Sequence, residues 1–494
     1  MTLSVLIWLP LAIAVVAAAL PRPWVGRLVA VLSFATLAIA ISYVARFKLH
    51  HPGLQFVTNQ TWISTLGIHY NLGLDGLNVT LVLLTCILFS ASLVWAAFRE
   101  WSRPRLFYFS FGVAQSAVLG AFCAQDLALF VAFFDLMLIP FYFIIGIWGT
   151  GDRVRATTKL VVYTLVGSFF MLAAAIATGV VASDQHGVPI TFALSALRHL
   201  PLSRSSQEWI FLGFAAAFLV KMPQVPLHGW LADGYKSMPI PAVAVFSGVL
   251  SKVAAYGFLR IVLPLFPYAS VHYQTLMLLI ALLSILWGTA LAFTTPDARL
   301  VVAYSSVAQL GFITLGIFSL EPQGGQGAIL QMVNHGLVTA PLFFIVAALA
   351  ARSGGSEDLR EMGGIAFRAP VLAALFLIVA LATLAMPGSA NFVGEFMILL
   401  GVFKTKVAIA VVAFLGVVGA AYYALRLLIT SMHNRVRPGV RSFDIGVAEL
   451  ATIVPVVLVI IALAFYPQFV LTRSQLSVTA SVQATRAPLK VAAR

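Results

Sequence analysis

Apolar residues run through this chain in long stretches, separated by short polar segments and showing no alternation at period two. Each stretch of about 18 or more residues can cross a hydrocarbon core about 30 Å thick as a helix. In lipid the backbone must satisfy its own hydrogen bonds, which leaves helices or a closed barrel, and the missing alternation selects helices. The pattern predicts spans at 3–20, 28–45, 75–97, 106–122, 124–148, 160–182, 208–228, 239–265, 273–293, 300–320, 325–351, 369–388, 405–430 and 446–470. A short helical half at 391–403 follows a break in the twelfth. The expected fold class is an all-α integral membrane protein of about fourteen transmembrane helices. Polar segments at 50–70 and 183–207 read as loops. The first run lacks a basic leader, and a second span follows Pro21-Arg22-Pro23, so it reads as a retained helix rather than a secretory signal.

Composition supports the same picture. Of 494 residues 61% are hydrophobic and 9% charged, where a soluble chain carries about a quarter charged residues. A net charge of +14 raises the question of nucleic acid, but the basic residues stand singly between spans. That is how loop charges set topology. After odd-numbered spans lie Arg22, Arg27, Arg99, Arg103, Arg105, Arg153, Arg155, Lys159, Lys236, Arg299, Arg352, Arg360, Arg368, Arg435, Arg437 and Arg441. After even-numbered spans lie only Arg46, Lys48, Arg198, Arg204, Lys404 and Lys406. Sixteen against six places the odd loops in the cytoplasm and both termini outside, although the tail residues Arg473, Arg486, Lys490 and Arg494 run against it. Cys86 and Cys123 lie in apolar stretches and read as inert buried thiols.

A charge at mid-bilayer costs roughly 3 kcal/mol or more, so each one needs a partner, water or a function. Asp135 sits deep in span five, either as a packing carboxylate or as a titrating group or its modulator. Lys221 follows apolar Phe211–Val220 and precedes Pro223 and Pro226. Burial favours neutral lysine and a nearby carboxylate favours the charged form. Moving Asp135 closer or further would thus switch Lys221 between holding and releasing a proton; snorkelling to an interface is the bland alternative. Lys252 is mid-span, where snorkelling is hard, and reads as a proton relay. His228, beyond the prolines, suits a relay near neutral pH or a cap on the broken helix. His335 is a lone histidine in an apolar helix, a relay or a hydrogen-bonded core residue. Glu395 follows the Pro387-Gly388 break, whose freed backbone can line water, and suits proton exchange with the far side or a structural role. Arg260 and Arg426 lie near span ends and read as paired or snorkelling, while Asp75 and Asp126 read as helix-start carboxylates. Two broken, polar-bearing helices, at Lys221 and before Glu395, hint at an internal inverted duplication. No metal spacing, glycine-rich nucleotide loop or Ser-His-Asp order is present, so redox energy has to come from other subunits.

Several segments together carry a family resemblance: Leu72-Gly73-Leu74-Asp75-Gly76-Leu77, Asp135 to Pro140 followed by Gly146-Ile147-Trp148-Gly149, and Thr158 to Ser168. Val220 to Leu231, Ala303-Tyr304-Ser305-Ser306 and Asn391-Phe392-Val393-Gly394-Glu395-Phe396 continue the series. In order and over nearly the whole chain, the sequence resembles the subunit M family of bacterial NADH–quinone oxidoreductase, respiratory complex I. The resemblance implies an antiporter-like fold with two inverted five-helix repeats, spans 4–8 and 9–13, and broken helices 7 and 12. Helices 1–3 then occupy 1–105, the repeats 106–265 and 266–430, and helix 14 with the tail 431–494. It also implies proton translocation in the bacterial inner membrane, driven by quinone reduction elsewhere in the complex. This chain would hold no cofactor; flavin, iron–sulfur clusters and quinone belong to partner subunits, and the other membrane subunits, including the neighbouring antiporter-like ones, are its partners. By position Asp135 falls where the family has a glutamate, Lys221 and Lys252 where it has its two key lysines, and His228, His335 and Glu395 on its polar axis. A multisubunit cation/proton antiporter or a membrane-bound hydrogenase subunit of the same fold is the nearest rival, and an inert scaffolding subunit is another. Two departures stand out. Asp135 retracts its carboxylate by roughly 1.5 Å, which at an effective dielectric of about 20 leaves a coupling of the order of kcal/mol, so function is expected to be retained but weakened. Gln309 stands where the family often has histidine, and glutamine cannot carry charge.

Overall fold

A computed structural model describes residues 2–441 and 443–492, with side chains as far as Thr485. The tail cations Arg486, Lys490 and Arg494 lie outside the described side chains. In chain order the main elements begin with α1 (Leu3–Ala18), α2 (Arg22–Arg46), β1 (Gln55–Ile63), β2 (Ile68–Leu74), α3 (Val79–Ala97), α4 (Pro104–Cys123), α5 (Leu127–Trp148), α6 (Arg153–His186) and α7 (Arg204–Lys221). They continue with α8 (Ile240–Leu265), α9 (Gln274–Thr294), α10 (Ala298–Phe318), α11 (Pro322–Arg352), α12 (Pro370–Thr383), α13 (Ala390–Phe403), α14 (Val407–Met432), α15 (Val447–Phe465) and α16 (Gln468–Ala492). Among the described residues eleven helices are long and apolar enough to cross a membrane, and α1, α12 and α13 are shorter apolar helices. The eighteen-residue α7 carries Arg204, Glu208 and Lys221.

Most spans fall within a few residues of the apolar runs; α2 and α6 start six and seven residues earlier than expected, and α7 and α12 stop seven and five residues earlier, at their proline-bearing breaks. The stretch read as a loop at 50–70 is mostly a hairpin, β1 pairing antiparallel with β2 through Thr58↔Leu72 and Gln60↔Tyr70. Its turn ends at Gly67 with φ +61°, where a Cβ would meet the Ile190 carbonyl at 2.1 Å, so only glycine fits. Residues 75–78 precede α3 as a turn, because Asn78 takes the Asp75 amide at 2.8 Å and donates to the Gly73 and Phe122 carbonyls. Span fourteen ends at Phe465 rather than 470; Pro467 has no amide hydrogen to continue it, and α16 starts afresh.

α8 is buried along its whole apolar window and α10 and α11 nearly so, whereas α2, α6, α9, α14 and α15 turn most of theirs outward. The centre of the molecule is therefore α8, α10 and α11. Arg260 of α8 pairs with Asp75, both buried, and receives further support from Tyr256 Oη at 2.9 Å. Asp126 caps α5 through the amides of Ala128 and Leu129, and Arg426 donates to the Phe293 and Thr295 carbonyls at the end of α9. One end of the bundle carries an ion-pair network: Lys159 and Arg155 on Asp233, Lys236 on Asp297 and Glu357, and Arg299 on Glu357.

Candidate functional site

Helix α8 is not a plain helix where it carries its lysine. Wider π-helical turns at Phe246–Leu250 and Phe258–Val262 flank Ser251–Gly257, a feature that recurs at functional sites. Lys252 has no exposed surface. Its Nζ donates to the Ser247 carbonyl at 2.5 Å and to His335 Nδ1 of α11 at 2.8 Å. An ammonium can only donate, so beside charged Lys252 the imidazole accepts at Nδ1 and carries its hydrogen on Nε2, an atom with no partner among the described residues. The approach of the two helices depends on glycine: a Cβ on Gly336 would stand 2.6 Å from the Gly248 carbonyl. Beside this pair the Ser247 and Ser306 hydroxyls lie 3.2 Å apart, linking α8 to α10.

One turn earlier on α11, Gln331 and Asn334 share a face with His335, at positions i, i+3 and i+4. Gln331 donates to Gln309 Oε1 at 2.6 Å, and Gln309 donates to Glu395 Oε1 at 2.8 Å. Asn334 donates to the Ala390 carbonyl at 2.6 Å, gripping the first residue of α13. Glu395 is buried, with Oε2 unpartnered among the described residues, and the buried Tyr423 hydroxyl of α14 lies close to Gln309. The break before α13 runs through Ala385 and Gly388, both at positive φ. Packing of α13 on α11 again rests on absent side chains: a Cβ on Gly327 would meet the Ile398 amide nitrogen at 2.8 Å.

The other two charged residues stand apart from this cluster. Lys221, the last residue of α7, is buried with Nζ 4.9 Å from the centre of the Phe134 ring. Asp135 lies near Ser168 and within electrostatic range of the Lys221 ammonium; among the described residues its Oδ1 is buried and unpartnered, and no ion pair forms within 4.0 Å. It lies where α5 is interrupted at Met137; Pro140 cannot donate to the carbonyl of Leu136, which loosens the helix there. After Lys221 the chain is held open by Trp230 Nε1 on the Val220 carbonyl at 3.1 Å and by the Val225 amide on Ser284 Oγ at 2.9 Å. His228 sits half-buried in that break with Nδ1 unpartnered. No hydrogen bond among the described residues joins it to the others, or Lys221 to Lys252.

The structure therefore brings Lys252 to His335 and Glu395 to Gln309, sets Asp135 and Lys221 near each other, and leaves His228 alone. Sequence reasoning missed Gln331, Asn334, Ser247, Ser306 and Tyr423. The spacing of Gln331, Asn334 and His335 was a usable signal, since three polar residues on one face of an apolar helix need partners.

With this geometry in place, similarity to known proteins is informative. The family model described as NADH:quinone oxidoreductase/Mrp antiporter, TM, matches residues 124–420. The chain is 37% identical to NADH-quinone oxidoreductase subunit M of Escherichia coli K12 over 432 residues, 86% of this chain and 84% of that protein. It is 34% identical to the subunit M of Rickettsia typhi, covering 90% of each. Among solved structures, a chain of respiratory complex I from Thermus thermophilus with bound NADH superposes with a TM-score of 0.89 at 30% identity, covering 98% of this chain and 100% of that one. A chain of the Mrp complex from Dietzia sp. DQ12-45-1b superposes at 0.83 with 21% identity, covering 98% of both, which is a likeness of fold.

Proposed function

The chain belongs to the NADH:quinone oxidoreductase/Mrp antiporter membrane family, and from that membership we infer that it is a proton-translocating membrane subunit of an NADH–quinone oxidoreductase. It works among the other membrane subunits of the complex and carries no redox chemistry itself; flavin, iron–sulfur clusters and quinone are assigned to partner subunits. We read the architecture as fourteen spans with two inverted repeats, 106–265 and 266–430, in a bacterial inner membrane with both termini outside. The broken helices at Lys221 and before Glu395 and the loop charges support that reading. Reporter fusions at the C-terminus test the orientation: alkaline phosphatase active there supports it, and a fluorescent cytoplasmic reporter overturns it.

For mechanism, Lys221 accepts a proton from the cytoplasmic side under the control of Asp135. The proton passes through water to Lys252 and His335, and through the Gln331 and Gln309 amides' surroundings to Glu395, which releases it outside. His228 serves the entry break. The observation that carries the reading is the buried Lys252–His335 pair at 2.8 Å. A fully buried ammonium held by one carbonyl and one imidazole can pass its proton along a single line. The imidazole atom facing away then needs a further acceptor, as water supplies. Reconstituted complex carrying Lys252→Ala is expected to keep reducing quinone while moving fewer protons per NADH; an unchanged ratio removes Lys252 from the route.

The fold is shared with an Mrp complex chain, so sodium exchange is the rival. Identity of 34–37% to subunit M chains, against 21% there, favours the first reading. Sodium uptake by the purified complex, independent of quinone, decides for the rival. An inert scaffold predicts that substituting Lys252 and Glu395 together leaves pumping intact.

A further inference from the structure

Arg22 and Arg27 at the start of α2, and Arg99 and Arg103 between α3 and α4, line one cavity of about 920 Å³. Glu100 is the acid among them, yet no ion pair among the described residues joins it to these arginines. Both α2 and α4 begin at this cavity without a side-chain cap, so two positive helix ends add to the charge there. Four cations and two helix ends outweigh Glu100 and the more distant Glu449, which Arg352 already pairs, and make a site for a polyanionic group, since arginine matches phosphate oxygens in pairs.

A second cavity, apolar and about 440 Å³, lies between α2, α3 and α15. The two are separate cavities that lie along the same faces of α2 and α3. On α2, Arg27 of the first and Phe34 and Ile41 of the second recur at seven-residue spacing, hence on one stripe. On α3 the stripe Leu83, Ile87, Val94 continues into Ala97 and Phe98 beside the arginines. Arg99 lies within electrostatic reach of Glu449 at the start of α15, the third wall. From Val94 to Leu83 the groove runs about 16 Å along α3, and one leaflet of the hydrocarbon core is about 15 Å deep. Along α3 that is the depth of a single acyl chain, and the arginine-lined cavity at the end of the same stripe is where a headgroup would sit.

We propose that this end of the molecule binds an anionic phospholipid, the phosphate among Arg22, Arg27, Arg99 and Arg103 and one acyl chain in the groove between α2, α3 and α15. Basic pockets between membrane helices recognise lipid phosphate in this way. The site stands apart from the proton route and independently of it.

The test uses the purified complex and a phosphatidylglycerol bearing a diazirine on one acyl chain. Light is expected to label peptides of α3 and α15, and the matching phosphatidylcholine probe to label them less. Replacing Arg27, Arg99 and Arg103 together by Gln should lower the label by roughly tenfold or more, while the triple Lys variant, which keeps the charge, retains most of it. Ala91→Trp, which fills the groove wall, should remove the label from α3. Equal labelling by the two probes, or by the Gln variant, overturns the proposal. So does complete displacement by inorganic phosphate, which assigns the arginines to a free anion. So does absence of label together with cross-linking of Ala91→Cys to a neighbouring subunit, which gives the groove to a protein helix.

Discussion

A lysine with no exposed surface survives at Lys252 because a carbonyl and an imidazole take its hydrogen bonds. Both partners are uncharged, a carbonyl and an imidazole, so an apolar side chain of similar length at this position leaves no buried charge uncompensated. Lys252→Met is thus expected to leave the complex assembled and to cut proton uptake per NADH by roughly tenfold, the lower range for loss of a proton-transfer group; dye-reported uptake in vesicles checks it. At Asp135 the carboxylate acts on Lys221 from a distance, so its effect is graded. Asp135→Asn is expected to weaken pumping about fivefold, as a coupling of about 1 kcal/mol implies. Asp135→Glu, which extends the carboxylate, should preserve or raise it; the two variants assayed side by side decide. These residues were legible in the sequence because a charge inside an apolar run is conspicuous. Gln331 and Asn334 were signalled only by sharing a helix face with His335, and Ser306 not at all, because a lone neutral polar residue is ordinary in a helix and acquires meaning only from a neighbour in space.

Helix elements carry the next layer of control. The approach of α8 to α11 is set by Gly248 and Gly336. Gly336→Ala puts a methyl against the Gly248 carbonyl, and such overpacking costs about 1–3 kcal/mol. The expected result is a lower unfolding temperature of the complex together with reduced pumping, quinone reduction being retained. Apolar periodicity located these helices, but it did not reveal the π turns around Lys252, which follow from how α8 seats against its neighbours. Nor did it reveal the hairpin β1–β2, whose mixed polar pattern reads as a loop until the strands pair. At the loops the ion-pair network is pH-sensitive. Burial pulls the Lys236 ammonium down, but hydrogen bonds and charge from Asp297 and Glu357 outweigh it and hold its pKa above the ordinary lysine value. A raised pKa means that the stabilisation is present below about pH 10.4, the free lysine value, and is lost as pH rises through the folded value. The pair is half-exposed, so the contribution is at most about 1 kcal/mol. Lys236→Met should flatten the alkaline end of the stability curve and leave the neutral range little changed.

At the scale of the molecule, the Asp75–Arg260 pair ties the start of α3 to α8 in the buried centre. Removing one partner leaves the other charge uncompensated, at about 3–5 kcal/mol. Arg260→Ala should therefore lower the thermal midpoint markedly, and adding Asp75→Asn should restore part of the loss. A double-mutant cycle reads the difference, and full additivity would discount the pair. The approximate positions of most membrane helices, the breaks after Lys221 and before Glu395, and the charged candidates were determined by the sequence alone. Transfer from water to lipid is a per-residue cost, and Pro, Gly and charge each act on their own segment. Which helices form the centre was decided only by tertiary structure, since lipid and core are equally apolar and hydropathy cannot separate an inward face from an outward one. The same holds for which charges meet. Lys252 and His335 stand 83 residues apart in the chain and 2.8 Å apart in space, a contact set by glycine packing between helices and invisible to any local pattern.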